Sequence, residues 1–75
     1  MKSDKEFSIL LFQSIHQVMR AESIISKKGY SYQIIPVPSE HSSECGMCIE
    51  IDSLNTVSIT TELQKYNIEP KVVKR

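Results

Sequence analysis

The chain has 75 residues, with nine basic residues against nine acidic ones. That length is one domain that buries only ~60% of its unfolded surface, which leaves no room for a deep internal active site. The balanced charge argues against nucleic acid or an anionic membrane as the main partner, since both are gripped by a basic excess. Basic residues gather only as Lys27-Lys28 and over 71–75, which reads as solvated surface.

Residues 1–6 are a polar extension of mixed charge ahead of a single domain over 7–75. No apolar run of signal-peptide type follows a basic start, and none is long enough to span a bilayer. The expected compartment is the cytoplasm, where thiols stay reduced. Phe7 to Phe12, "FSILLF", is a short, nearly continuous apolar run, as in a strand buried on both faces. Ser14 is placed to cap the helix that follows, and Gln17, three residues on, completes a capping box. Ile15, Val18, Ala21 and Ile25 form its apolar stripe, and Gly29 stops it. Glu22 falls inside the stripe. It reads as a carboxylate leaning out at the edge, because a functional role would need a buried partner that sequence cannot show.

Tyr30 to Pro38 alternates and is rich in aromatic and β-branched residues, so it reads as a strand. Pro36 and Pro38 suit the edge of a sheet. The polar stretch 39–47 is a loop by composition, and "CIEID" returns to strand, with Ile49 and Ile51 on one face and Cys48 and Glu50 on the other. A second helix is capped by Asn55, stapled by Leu54 and Ile59, and striped by Ile59, Leu63 and Tyr66. Asn67 is a residue for a left-handed exit, and "PKVVKR" closes the chain as a strand starting at Pro70.

The order β-α-β-β-α-β predicts an α+β fold of ferredoxin-like split βαβ type: a four-stranded antiparallel sheet with both helices on one face. Right-handed crossovers put the first and third strands in the centre. The end of the first strand, the start of the first helix and the loop between strands two and three then share one end of the sheet. Cys45 is expected near Gln13, Ser14, Ile15 and His16. A helix N-terminus carries about half a positive charge and stabilises a thiolate. Gly46 allows close backbone approach, while Glu40 and Glu44 oppose the thiolate.

The segment "SSECGMC" holds both cysteines, Cys45 and Cys48. His41, Cys45 and Cys48, with His16 as a fourth ligand, form one candidate metal array, although structural zinc usually takes two local ligand pairs. A dithiol switch is a second reading, but thioredoxin-like pairs open a helix and this one opens a strand. RNA-recognition motifs share this topology and stack bases on aromatics of the central strands; "CIEID" has none, which excludes them. The plainest reading makes the cysteines small residues filling the start of a strand, and it fits Cys48 better than Cys45. No cofactor is expected.

"PVPSEHSSECGMCI" resembles the selenium/sulfur carrier protein-like family, small bacterial domains in which Pro-x-Pro precedes Ser-Ser-x-Cys-Gly and a strand. The matching residues are Pro36, Pro38, Ser42, Ser43, Cys45 and Gly46, and "AESIISKKGY" and "LQKYNIEPKVV" extend the likeness. Ser39 stands where the family commonly has a basic residue, Cys48 where it has a small apolar one, and Asn67 where it has glycine. The resemblance implies that Cys45 accepts sulfur or selenium as a persulfide or selenopersulfide and passes it between a donor and an acceptor protein. Gly46, Ser43 and the helix start at Ser14 to His16 would support it, and Cys48 is either a resolving thiol or packing. Such a protein is a carrier more than an enzyme. The rival reading is a non-catalytic module that binds a small ligand, a partner or a second copy through its sheet.

Overall fold

The computed structural model describes residues 6–41 and 46–74. Four strands, β1 (Phe7–Leu11), β2 (Tyr32–Pro36), β3 (Met47–Asp52) and β4 (Lys71–Lys74), form one sheet in the order β2-β3-β1-β4. All three pairings are antiparallel, with Leu11 opposite Cys48, Leu11 opposite Lys71, and Ile35 opposite Cys48. With helices α1 (Ile15–Lys27) and α2 (Thr56–Gln64) this is the ferredoxin-like α+β arrangement expected, with the apolar first strand central and proline-bearing β2 at an edge.

Local chemistry accounts for the start and end of α1. The Ser14 hydroxyl accepts from the Gln17 amide at 3.3 Å. Gln17 Oε1 accepts from the Gln13 amide at 3.5 Å, so the box closes one residue earlier than expected. At the other end Gly29 takes φ +83°, its amide donates to the Ser26 carbonyl, and the Tyr30 amide donates to the Ile25 carbonyl. That is a Schellman exit. The end of α2 repeats it on Asn67 at φ +62°, with Asn67 N–H on the Gln64 carbonyl and Ile68 N–H on the Leu63 carbonyl.

The buried stripe of α1 is Val18, Ala21 and Ile25, while Ile15 is 46% exposed, a correction to the expected stripe. At about 100° per residue, Val18, Ala21 and Ile25 span an arc of about 60°, and Ile15 lies about 60° beyond it. The start of α2 also differs. A 3₁₀ turn, Ser53–Asn55, precedes it, capped by Asp52, which accepts from the Leu54 amide at 3.0 Å; Asn55 holds the N-cap position of α2 as expected, but its side chain makes no capping hydrogen bond. Leu54 is 90% exposed, so the Leu54–Ile59 staple does not form. Tyr66 lies outside the core and Ile68 takes its place, because the reversal at Asn67 swings Ile68 back under the helix.

The sheet has two unequal apolar sides. Leu10, Phe12, Ile49 and Ile51 pack with Val18, Ala21 and Ile25 of α1, Ile59 and Leu63 of α2, and Ile68. On the other side, among the described residues, Ile9, Leu11 and Cys48 are buried with Ile35, Val37 and Val73 around them. Ser8 is the buried polar residue of β1. Its hydroxyl lies 2.8 Å from that of Ser53 and accepts from Thr56 Oγ1 at 3.2 Å. No helix among the described residues is long and apolar enough to cross a membrane.

Candidate functional site

The loop between β2 and β3, which carries Cys45 in the sequence, leaves the sheet through a narrow neck. The β2–β3 ladder ends at Pro36 opposite Met47, and one further bond follows, from Val37 N–H to the Gly46 carbonyl at 3.1 Å. Gly46 sits at φ +74°, and a Cβ built on it would meet nothing within 4 Å. Backbone conformation, not lack of space, is what selects glycine there. Beyond Val37 a turn closes with His41 N–H on the Pro38 carbonyl at 3.0 Å. Ser42, Ser43, Glu44 and Cys45 lie outside the described residues.

Because Leu11 pairs with Cys48, β1 hands over to α1 at the end of the sheet where β3 begins. The neck and the N-terminus of α1 therefore share that end. Ser14 is committed to capping, His16 is exposed on the first turn, and that turn holds no acidic residue to offset the helix dipole. The expected nearness of Cys45 to this helix start falls outside the described residues; Gly46, which follows it in sequence, is at the correct end of the sheet.

Cys48 is fully buried. It points to the side opposite Ile49 and Ile51, as the alternation of β3 requires, and sits with Ile9 and Leu11. Its thiol donates to the Pro36 carbonyl at an Sγ to O distance of 3.8 Å. Of the roles open to this residue, packing accounts for these contacts. His41 is half-buried, and no group of three His, Cys, Asp or Glu side chains among the described residues is placed to hold a metal ion. Cys45, the central member of the His41, Cys45, Cys48 array, is outside them.

Glu22 has a partner that its sequence context did not reveal. The Tyr32 hydroxyl donates to Glu22 Oε2 at 2.6 Å. This bond, helped by partial burial and by the carboxylate's charge, raises the Tyr32 pKa, while a hydrogen bond with Ser26 opposes the rise. Tyr32 pairs with Ile51, towards the end of the sheet away from the neck, so the Glu22–Tyr32 bond belongs to the α1–β2 contact and not to the cysteine loop. No local pattern signals the pair, because the two residues stand ten positions apart on different elements.

A small ferredoxin-like domain with the Cys48 thiol buried in its sheet, and with a second cysteine that precedes the neck residue Gly46 in sequence, is the class that the fold and sequence define. The chain belongs to the "Putative Se/S carrier protein-like" family, whose model matches residues 7–74. It is also 30% identical over 69 residues to an uncharacterized protein, MJ0011, of Methanocaldococcus jannaschii. That alignment covers 92% of this chain and 34% of the relative, so the chain spans about a third of the relative's length. The relative is archaeal, whereas the resemblance read from the sequence was to bacterial domains. No solved structure matches.

Proposed function

We propose that this domain is a sulfur or selenium carrier that holds its cargo on Cys45 as a persulfide or selenopersulfide. The observation that carries this reading is membership, over residues 7–74, in the family named for that role. The surroundings of the loop are compatible with it. Gly46 holds the neck in a conformation open to glycine, and the N-terminus of α1 supplies partial positive charge at the same end of the sheet. Cys48 is buried, which leaves the transfer role to Cys45.

The chemistry balances without an oxidant. The Cys45 thiolate attacks the outer sulfur of a donor protein's persulfide, a new S–S bond forms, and the donor thiolate leaves. An acceptor nucleophile then attacks that outer sulfur and releases Cys45 as thiolate. Donor and acceptor are proteins that dock on the loop end of the sheet, in a cytoplasm that keeps the unloaded thiol reduced.

Incubation with a cysteine desulfurase and isotopically labelled cysteine tests the reading. The expected result is a gain of one labelled sulfur on the Cys45 peptide and none in Cys45→Ser. A parallel incubation with selenocysteine and a selenium-releasing lyase distinguishes the two elements. No gain of either, where an established carrier is loaded, would hand the reading to a non-catalytic interaction module.

A further inference from the structure

The two outer edges of the sheet are not alike. β4 carries Lys71 and Lys74 among its four residues, whereas β2, "YQIIP", carries no charge. Lysine on an edge strand guards it against pairing with another chain, and an uncharged apolar edge invites such pairing. Among the described residues nothing pairs with the outer side of β2. One bond fixes which backbone groups lie there. Val37 N–H donates to the Gly46 carbonyl, so by the alternation of an antiparallel ladder Gln33 and Ile35 also bond to β3, and Tyr32 and Ile34 turn their N–H and C=O groups outward. Pro36 falls on the same outward row, where its missing N–H costs the β2–β3 ladder no bond.

An apolar shelf runs beside this edge. On α1, Ile15, Met19, Glu22 and Ser26 fall within an arc of about 60°. The Tyr32 hydroxyl bonds Glu22 and is also hydrogen-bonded with Ser26, so this flank of the helix faces β2. The opposite flank faces α2, where Lys28 pairs with Glu62 at 3.5 Å. Ile34 lies on the same face of the sheet as Tyr32, two residues nearer the neck, which brings it towards Met19 and Ile15. Met19 is 62% exposed, Ile15 46% and Ile34 39%, and Pro36 is exposed beyond them. The shelf's carboxylate, Glu22, is already bonded to Tyr32.

We propose that this edge and shelf take a second copy of the chain, β2 pairing antiparallel with β2 about a two-fold axis at Ile34. An axis perpendicular to the sheet keeps the helices of both copies on one face, so helix-side residues meet helix-side residues. Centred on Ile34, the row sets Ile34 against the partner's Ile34 and Tyr32 against the partner's Pro36. The outward groups of the two Ile34 residues bond each other, and the Tyr32 N–H donates to the carbonyl of the partner's Pro36. Moving the axis to Pro36 would oppose two residues that have no N–H to give. Above the junction the two α1 helices bring their Met19 and Ile15 side chains together. Charge decides the occupant. No like charges meet along β2, whereas β4 against β4 would crowd four lysines onto one short junction. The result is an eight-stranded sheet with the two necks at opposite ends of the junction, and it does not depend on the carrier role.

Sedimentation equilibrium of the full chain in reducing buffer, over a range of protein concentrations, tests the proposal. The expected mass rises reversibly from 8.6 kDa towards twice that value. Ile34→Lys sets two ammonium groups at the axis and should weaken the dimer roughly tenfold or more. Met19→Glu should do the same from the helix, and at an exposure of 62% it leaves the fold intact, so it supplies the readout if Ile34→Lys does not fold. Val72→Lys, on β4 at a similar exposure of 43%, should leave the dimer unchanged. In wild type, hydrogen exchange at the Tyr32 and Ile34 amides should slow as concentration rises. A chain that stays at 8.6 kDa throughout would overturn the self-pairing and leave the edge to a strand of another protein. A dimer that survives both Ile34→Lys and Met19→Glu, or one that Val72→Lys dissociates, places the junction elsewhere and overturns it equally.

Discussion

The two sides of the sheet differ in how they are closed. Among the described residues, ten buried residues interlock on the side that the two helices cover, whereas three buried residues of β1 and β3 on the other side are ringed by side chains of β2, β4 and the start of the loop. The first side is where the folding free energy is concentrated, since each fully buried Leu, Ile or Phe contributes roughly 2 kcal/mol relative to its exposed state. The second is shallow, and it holds the thiol. A domain of this size can hardly spare stability, so the buried Cys48 side chain lies in the part of the fold with less packing to lose.

The sharpest way to break this comparison is a pair of truncations one residue apart. Leu10, fully buried on the helix side, should cost about 4 kcal/mol as Leu10→Ala, enough to unfold much of the population. Leu11, 6% exposed on the other side, should cost about 2–3 kcal/mol as Leu11→Ala, at the low end for such sites. Urea unfolding followed by circular dichroism measures both, and equal losses would erase the distinction between the sides. Gly46→Ala is next. With φ at +74° and no steric obstacle, it should lose about 1–2 kcal/mol from backbone conformation alone. A neck loosened in this way should show faster amide exchange at Val37 than at Leu10.

Ser14→Ala removes the α1 cap and should cost about 1 kcal/mol, with Ser14→Asp retaining most of the stability. The smallest effect is one of pH. Because Glu22 raises the Tyr32 pKa in the folded chain, that bond's contribution is fully present below pH ~10 and is lost as pH rises through the folded value. Wild type should therefore destabilise at alkaline pH relative to Tyr32→Phe, whose thermal midpoint should lack that component. Parallel alkaline limbs in the two proteins would remove the Glu22–Tyr32 bond from the account.

What was legible in the sequence followed rules that act over a few residues. Ser14, Gly29 and Asn67 mark helix ends through their own backbone and side-chain preferences, and all three sit where those preferences put them. The strand order followed from connection handedness and from the apolar richness of "FSILLF", which is buried on both sides from Ser8 onward, while Phe7 is exposed. The failures needed distant partners. Leu54 looked like half of a staple, but a 3₁₀ turn capped by Asp52 rotates it into solvent. Tyr66 lost its place to Ile68 because a reversal at Asn67, not helical periodicity, decides what faces the core there. Glu22 could not announce Tyr32 across ten positions. The candidate site divides in the same way. The helix start and the loop neck were expected at one end of the sheet and lie there, whereas the full burial of Cys48 depends on Leu11 and Ile35 from two other strands, which spacing alone cannot specify.

Ser8 carries a last consequence. A strand apolar on both sides has no preferred way round, because sliding it by one residue merely exchanges one apolar row for the other. In β1 the hydroxyl of Ser8 breaks that degeneracy, since Ser53 and Thr56 can satisfy it only beneath the start of α2. A slip by one position towards the place of Ile9 would set that hydroxyl beside Val73 on the other side and leave the hydroxyls of Ser53 and Thr56 facing an apolar side chain. Three small alcohols thus act as an alignment key. They decide which leucine meets Cys48, and so which apolar row encloses it.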